Sequence, residues 1–305
     1  VTLNSPFLLP ATSAERTDIC PPHQAGSQQE KIMSQTPTSM VKLSAIEKTW
    51  ADGTRALNSV DLEVPQGQFC VILGPSGAGK STLLRAVNGL MKPTAGKVQV
   101  DGLELTQTSE RELRKRVAMI HQHFNLATRA SVAANVLSGA LPEVSLARAL
   151  CGWFHPEQRE KACHYLERVG LKPEHLHRRA GELSGGQQQR VGIARAFMLD
   201  PKVVLADEPV ASLDPQISRD ILTLLKDAAR ELNATVICSL HQVDLAREFG
   251  DRIVGMRSGE VVFDGAPEEF DDQRLGRLYQ NADWGDGEPT QAREDTPQLE
   301  AAGGM

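Results

Sequence analysis

A parallel α/β core interrupted by a helical insertion is the fold the sequence predicts, and three observations carry it. Apolar runs too short for a helix recur at Phe69–Leu73, Val117–Ile120, 202–206 and 234–240, as buried strands do. The first run ends in Gly74-Pro75 and passes into helical apolar spacing over 80–89, with Leu83, Leu84 and Val87 on one face. Between the second and third runs lie about eighty residues that read mostly as helix, over 132–141, 156–169 and 187–199. Two alternating segments, 41–46 and 60–64, open the core. Near its end, 252–256 and 260–263 flank Arg257-Ser258-Gly259 and read as a hairpin. No internal repeat is present.

The chain has 305 residues, with 40% hydrophobic and 24% charged residues and a mean hydropathy of −0.30. That profile supports a sizeable buried core. No apolar run approaches the roughly eighteen residues that span a bilayer. The formal net charge of −6 argues against a nucleic-acid binder held by bulk charge and leaves a local basic patch open. Arg111, Arg114, Lys115 and Arg116 form a local basic run, but they stand beside Glu110 and Glu112 and read as a solvated helix face. The charge gathers at one end: residues 281–305 hold six acidic residues against one basic, a net of −5. Residues 1–40 are rich in Pro, Ser, Thr and Gln, so a compact unit over 41–280 is expected between a disordered N-terminal extension and a disordered acidic tail over 281–305. Val1 opens the chain, and Met33 and Met40 are candidate natural starts. No secretory pattern precedes them. Cys20, Cys70, Cys151, Cys163 and Cys238 show no metal-like spacing and read as reduced thiols, which fits the cytoplasm.

Three strings carry chemistry. Gly74-Pro75-Ser76-Gly77-Ala78-Gly79-Lys80-Ser81, followed by Thr82, fits G-x-x-x-x-G-K-[ST] directly after an apolar strand and at the start of a helix. Glycines let consecutive backbone N–H groups turn inward around a polyphosphate, and the helix N-terminus adds its positive end. Lys80 would reach the β- and γ-phosphates of ATP, and Ser81 would offer its hydroxyl to Mg²⁺. The apolar run before Asp207-Glu208 places two carboxylates at a strand's end, Asp207 for Mg²⁺ and Glu208 to polarise an attacking water. Leu183-Ser184-Gly185-Gly186-Gln187-Gln188-Gln189-Arg190 could be an ordinary helix cap, with Ser184 at N-cap and Gln187 three residues on.

Placed about twenty residues before the Asp-Glu strand, that string resembles the signature motif of ATP-binding-cassette (ABC) ATPases. The resemblance runs from about residue 41 to 263. It implies a P-loop NTPase core with an N-terminal antiparallel β subdomain and a helical subdomain over about 125–200. Gln122, in Ile120-His121-Gln122-His123-Phe124, matches the family's glutamine that touches Mg²⁺ and faces the transporter. Ala211-Ser212-Leu213-Asp214 resembles the D-loop, and His241 resembles the histidine that senses the γ-phosphate. Trp50 stands where the family puts an aromatic under adenine, usually Tyr, and a half-buried packing residue is its other reading. The resemblance thus implies Lys80, Gln122, Glu208 and His241 as catalytic. It implies a head-to-tail homodimer that sandwiches ATP between Gly74 to Thr82 of one chain and Ser184 to Gln187 of the other.

No fused membrane helices, second cassette or coiled-coil insertion is evident, which leaves an importer subunit. Its implied partners are integral membrane permease subunits and, indirectly, a substrate-binding protein, with no nucleic acid. Its implied place is peripheral, on the cytoplasmic face of the inner membrane. Met119 to Leu126, Ser131-Val132, Asn135 to Leu141 and the longer insertion containing Leu150-Cys151-Gly152-Trp153-Phe154 are similar to phosphonate-importer ATPases. His121 departs from the Phe more usual there. Trp153-Phe154 is read either as a pair closing the helical subdomain or as a permease contact. An amino-acid importer ATPase is the alternative, and a non-transport ABC ATPase a more distant one.

Overall fold

The computed structural model of the protein describes residues 39–279. The expected acidic tail and almost all of the expected extension lie outside the described residues. Ser39 and Met40 are a correction to that expectation: they belong to the first strand, where Ser39 pairs with Pro65 and Met40 is buried.

Two sheets organise the chain. β1 (Ser39–Thr49), β2 (Arg55–Pro65), β4 (Ala95–Val100) and β5 (Leu103–Glu104) form an antiparallel sheet in the order β2-β1-β4-β5. The other sheet contains β3 (Phe69–Leu73), β6 (Val117–Ile120), β7 (Val203–Asp207), β8 (Thr235–Ser239), β9 (Arg252–Arg257) and β10 (Glu260–Gly265). Its order is β10-β9-β3-β8-β7-β6, with parallel pairing from β9 through to β6 and β10 antiparallel at one edge. The strand at its centre is the one that feeds the glycine-rich loop.

The apolar runs are continuous because these strands are covered on both faces. Successive residues point to opposite sides. Val71, Leu73, Val204, Ala206, Val236 and Cys238 join one core, while Cys70, Ile72, Val203, Leu205 and Ile237 join the other. The first core continues into the helical insertion, made of α3 (Val132–Leu137), α4 (Leu146–Leu150), α5 (Pro156–Arg168) and α6 (Gly185–Ala196), with short 3₁₀ turns between them. The second meets the antiparallel sheet and α1 (Lys80–Val87).

Burial separates the thiols. Cys70 and Cys238 are fully buried, and desolvation pushes the Cys70 thiol up to about 12 and raises that of Cys238 as well. Cys151 and Cys163 are exposed. At neutral pH the buried pair stays protonated and out of reach. We therefore expect Cys151 and Cys163 to react with a thiol reagent in the native protein, and Cys70 and Cys238 to react only after unfolding, as peptide mapping of the labelled protein would reveal.

The basic run lies on α2 (Glu110–Arg116), as a paired helix face. Arg114 meets Glu110, Lys115 meets Glu112 at 3.5 Å, and Arg116 binds Asp101 at 2.6 Å. Three of its four cations already have carboxylate partners, which weakens its case as a phosphate-binding surface. Among the described residues, no helix is long and apolar enough to cross a membrane.

Candidate active site

Loops that follow the C-terminal ends of parallel strands face one edge of the sheet, where α/β folds bind ligands. Here four of them carry the residues singled out by sequence. The glycine-rich loop follows β3, Gln122 follows β6, Glu208 follows Asp207 at the end of β7, and His241 follows β8.

The loop conformation depends on glycine at two close approaches. Gly74 has φ +156°, and a Cβ there would lie 2.2 Å from the carbonyl oxygen of Met256. Gly79 has φ +102°, and its Cβ would lie 2.5 Å from the carbonyl oxygen of Ala56. The β9–β10 turn braces the loop, because Gly259 donates its N–H to the Ala78 carbonyl at 3.0 Å. Helix α1 starts at Lys80 with no side-chain cap and no acidic residue in its first turn. Its first N–H groups are therefore available to an anion. The N-termini of α6 and of α7 (Pro215–Glu231) differ, since each is capped by its own serine or aspartate.

Lys80 is buried, and its ammonium donates to the carbonyls of Gly74 at 2.8 Å and Pro75 at 3.1 Å. Burial lowers its pKa, while Glu208 and Asp207 pull it back up. Ser81 Oγ donates to Asp207 Oδ1 at 2.9 Å, and Ser239 Oγ donates to the same oxygen at 3.0 Å. Ser239 also accepts the Glu208 N–H at 3.0 Å. Glu208 sits at φ +48°, a left-handed conformation rare for a non-glycine residue, which turns its carboxylate off the line of β7. There it meets His241 Nε2 at 2.5 Å. A single hydrogen-bonded cluster thus holds the loop serine, both carboxylates and the histidine together through Ser239.

The oxygen donors suit a small hard cation. Ser81 and Asp207 offer a hydroxyl and a carboxylate side by side, and no group of three or more His, Cys, Asp or Glu gathers among the described residues. A Mg²⁺ held there would draw the rest of its oxygen shell from outside this pair, from Gln122, phosphate oxygens and water.

Other expected residues lie outside this cluster. Gln122 is exposed on the loop after β6, and its neighbours are fixed from α6: Arg195 donates to the carbonyls of Asn125 at 2.6 Å and Phe124 at 3.0 Å. Ser184 and Gln187 form a reciprocal capping box on α6, with bonds of 3.3 and 3.1 Å, so the ordinary capping role is real. Gly185 lies between Leu213 and Phe124, and a Cβ on Gly186 would meet Ile217 Cγ2 at 2.9 Å, so α6 packs closely on α7. Asp214 accepts the Ile217 N–H at 3.0 Å as the N-cap of α7. Trp50 is 41% exposed in the turn between β1 and β2, with Lys48 Nζ 4.7 Å from its ring centre. Phe154 packs inward on the core, as the closing role requires, whereas Trp153 is exposed.

Sequence reading missed Ser239 and Arg195. A serine at the end of an apolar strand has no local signal, and Arg195 stood only as one of several polar residues on a mixed helix. Ser239→Ala removes the link and leaves the Glu208 N–H without its acceptor. We expect a loss of about 1–3 kcal/mol in stability by urea unfolding, together with reduced turnover.

Comparison with known proteins places this geometry in context. Residues 57–211 match the family described as ABC transporter. The chain is 50% identical over 241 residues, 79% of its length and 89% of the relative's, to the "Phosphonates import ATP-binding protein PhnC" of Hydrogenovibrio crunogenus. It is 49% identical to the protein of the same name from Thiobacillus denitrificans, over 79% of this chain and 93% of that one. Among solved structures, cbiO1 of Clostridium perfringens, part of the ABC transporter complex cbiONQ, aligns with a TM-score of 0.68 and 30% identity over 79% of this chain and 94% of that chain. The cassette MJ0796, described as dimeric and bound to ADP and Pi, aligns with a TM-score of 0.65 and 36% identity over 75% of this chain and 99% of that chain.

Proposed function

The chain belongs to the ABC transporter family of ATP-binding subunits, and from that premise we propose that it hydrolyses ATP to energise the import of phosphonates. For the substrate class, the observation that carries the reading is the 50% identity, over most of both chains, to a protein named for phosphonate import. For the chemistry, it is the joining of loop, carboxylates and histidine at one sheet edge.

On binding ATP, the uncapped N-terminus of α1 receives the phosphates, and Lys80 exchanges its two carbonyl acceptors for phosphate oxygens. Ser81 and Asp207 would hold Mg²⁺, which when bound would offset negative charge on the phosphate oxygens. Glu208 accepts the proton of the attacking water. His241, paired with that carboxylate, keeps it aimed and senses the γ-phosphate. Phosphoryl transfer is loose, so positioning and charge account for most of the rate. A second copy completes the site head to tail, its Ser184 to Gln187 meeting the γ-phosphate while its Asp214 approaches across the interface. Trp50 supports adenine, and Gln122 links the site to the permease. Membrane permease subunits and a substrate-binding protein are the partners, and the chain works peripherally at the cytoplasmic face of the inner membrane.

Growth tests the reading. In a host with this chain deleted and no second phosphonate system, we expect growth to fail with an alkylphosphonate as sole phosphorus source and to proceed on phosphate. Wild type restores it, and Glu208→Gln does not. Unimpaired growth of the deletion strain would overturn the phosphonate assignment and return attention to amino acids.

A further inference from the structure

The helical insertion carries one element that does nothing for the fold. Helix α4 buries none of its residues, and Leu146 and Leu150, one turn apart, are 76% and 80% exposed. Trp153 extends the same stripe at 69% exposure, drawn in by its N–H bond to the Arg148 carbonyl at 2.9 Å. This knuckle is not a frayed loop. Ala140 is buried before it, Phe154 packs on the core after it, and α5 begins at Pro156. Large apolar side chains held out on an anchored projection require a partner.

The charge beside them indicates its chemistry. Arg148, Trp153, Phe154, His155, Pro156 and Arg159 line a shallow cleft of about 340 Å³. Its ionisable groups are two arginines and a histidine, with Arg148 in contact with His155. No Asp or Glu occurs from 144 to 156, and Glu143, Glu157 and Glu160 stand on the flanks outside the cleft lining. Leucines and an indole around a cationic cleft match the layer where acyl chains meet phosphate headgroups. A protein partner would need a groove to receive the convex knuckle, whereas a bilayer surface needs none.

We propose that the α4 knuckle is a membrane-surface contact: Leu146, Leu150 and Trp153 enter the headgroup layer of an anionic bilayer while Arg148 and Arg159 hold lipid phosphate. The inference rests on the importer reading only in needing a membrane nearby. Its test uses neither substrate nor ATP, so its failure leaves the transport reading standing.

The experiment is flotation of the purified full chain with permease-free vesicles, either of phosphatidylglycerol mixed with phosphatidylcholine or of phosphatidylcholine alone. Wild type is expected to float with the anionic vesicles, and less well as salt rises. The triple substitution Leu146→Ser, Leu150→Ser, Trp153→Ser is expected to lower the bound fraction about tenfold or more. The double substitution Arg148→Gln, Arg159→Gln is expected to erase the preference for phosphatidylglycerol. Both variants should keep wild-type thermal unfolding and ATPase activity in solution, because all five side chains are exposed. Absence of wild-type flotation would overturn the proposal, as would variants that float equally well. An effect of the substitutions seen only when permease subunits are in the vesicles would overturn it too, and would assign the knuckle to a protein contact.

Discussion

Glu208→Gln is expected to cut ATP turnover about a thousandfold while leaving nucleotide affinity unchanged or tighter. The substitution keeps the side chain's volume, and its amide can still pair with His241 Nε2, so the geometry at the end of β7 survives. What disappears is the carboxylate that the cluster places beside His241 to accept the water's proton. The lost negative charge also removes repulsion against an incoming γ-phosphate. Binding and hydrolysis thus separate, and a dimer closed on ATP should accumulate. Phosphate release measures the first effect, and size-exclusion chromatography with and without ATP measures the second. Turnover within tenfold of wild type would show that the base lies elsewhere.

Whether Glu208 works as proposed depends on a conformation the sequence does not advertise. The strand ending in Asp207-Glu208 was legible, but not the left-handed φ at Glu208 or the buried Ser239 that ties both residues to β8. Those features come from neighbouring strands distant in sequence, which no local pattern encodes. Elements with a strong local signal fared differently. The runs Phe69–Leu73 and Val117–Ile120 fall on β3 and β6 residue for residue, because a strand buried on both faces is apolar throughout. The hairpin of β9 and β10 also appears, its Ser258-Gly259 turn with both φ positive. Strand β4 was missed, since Ala95, Gly96 and Lys97 are exposed and polar where it lies along β1. So was α7, although Asp214 and Pro215 mark its start and Ile217, Ile221, Leu222 and Leu225 follow at helical spacing. There the D-loop reading absorbed the capping signal.

The same overlap of capping and function governs Ser184. Its hydroxyl accepts the Gln187 N–H, so replacing it with a residue that cannot cap, such as Ala or Arg, weakens the start of α6 by about 1 kcal/mol. Ser184→Ala isolates that loss, and we expect it to lower stability by this amount with ATPase activity reduced only modestly. Ser184→Arg adds bulk at an exposed position whose hydrogen bonds run to Gln187 and Gln188 of its own helix. Within one chain those bonds stay inside α6 and involve none of the phosphate loop. In a head-to-tail dimer the added bulk stands in the space meant for the γ-phosphate of the partner's nucleotide, and it places a cation where the helix N-terminus already supplies positive potential. We therefore expect Ser184→Arg to abolish turnover by at least about a hundredfold while the isolated chain binds nucleotide as wild type does. Combined with Glu208→Gln, it should abolish the ATP-dependent dimer that the glutamine variant accumulates. If the double variant still dimerises on ATP, Ser184 is only a helix cap, and the composite site is excluded.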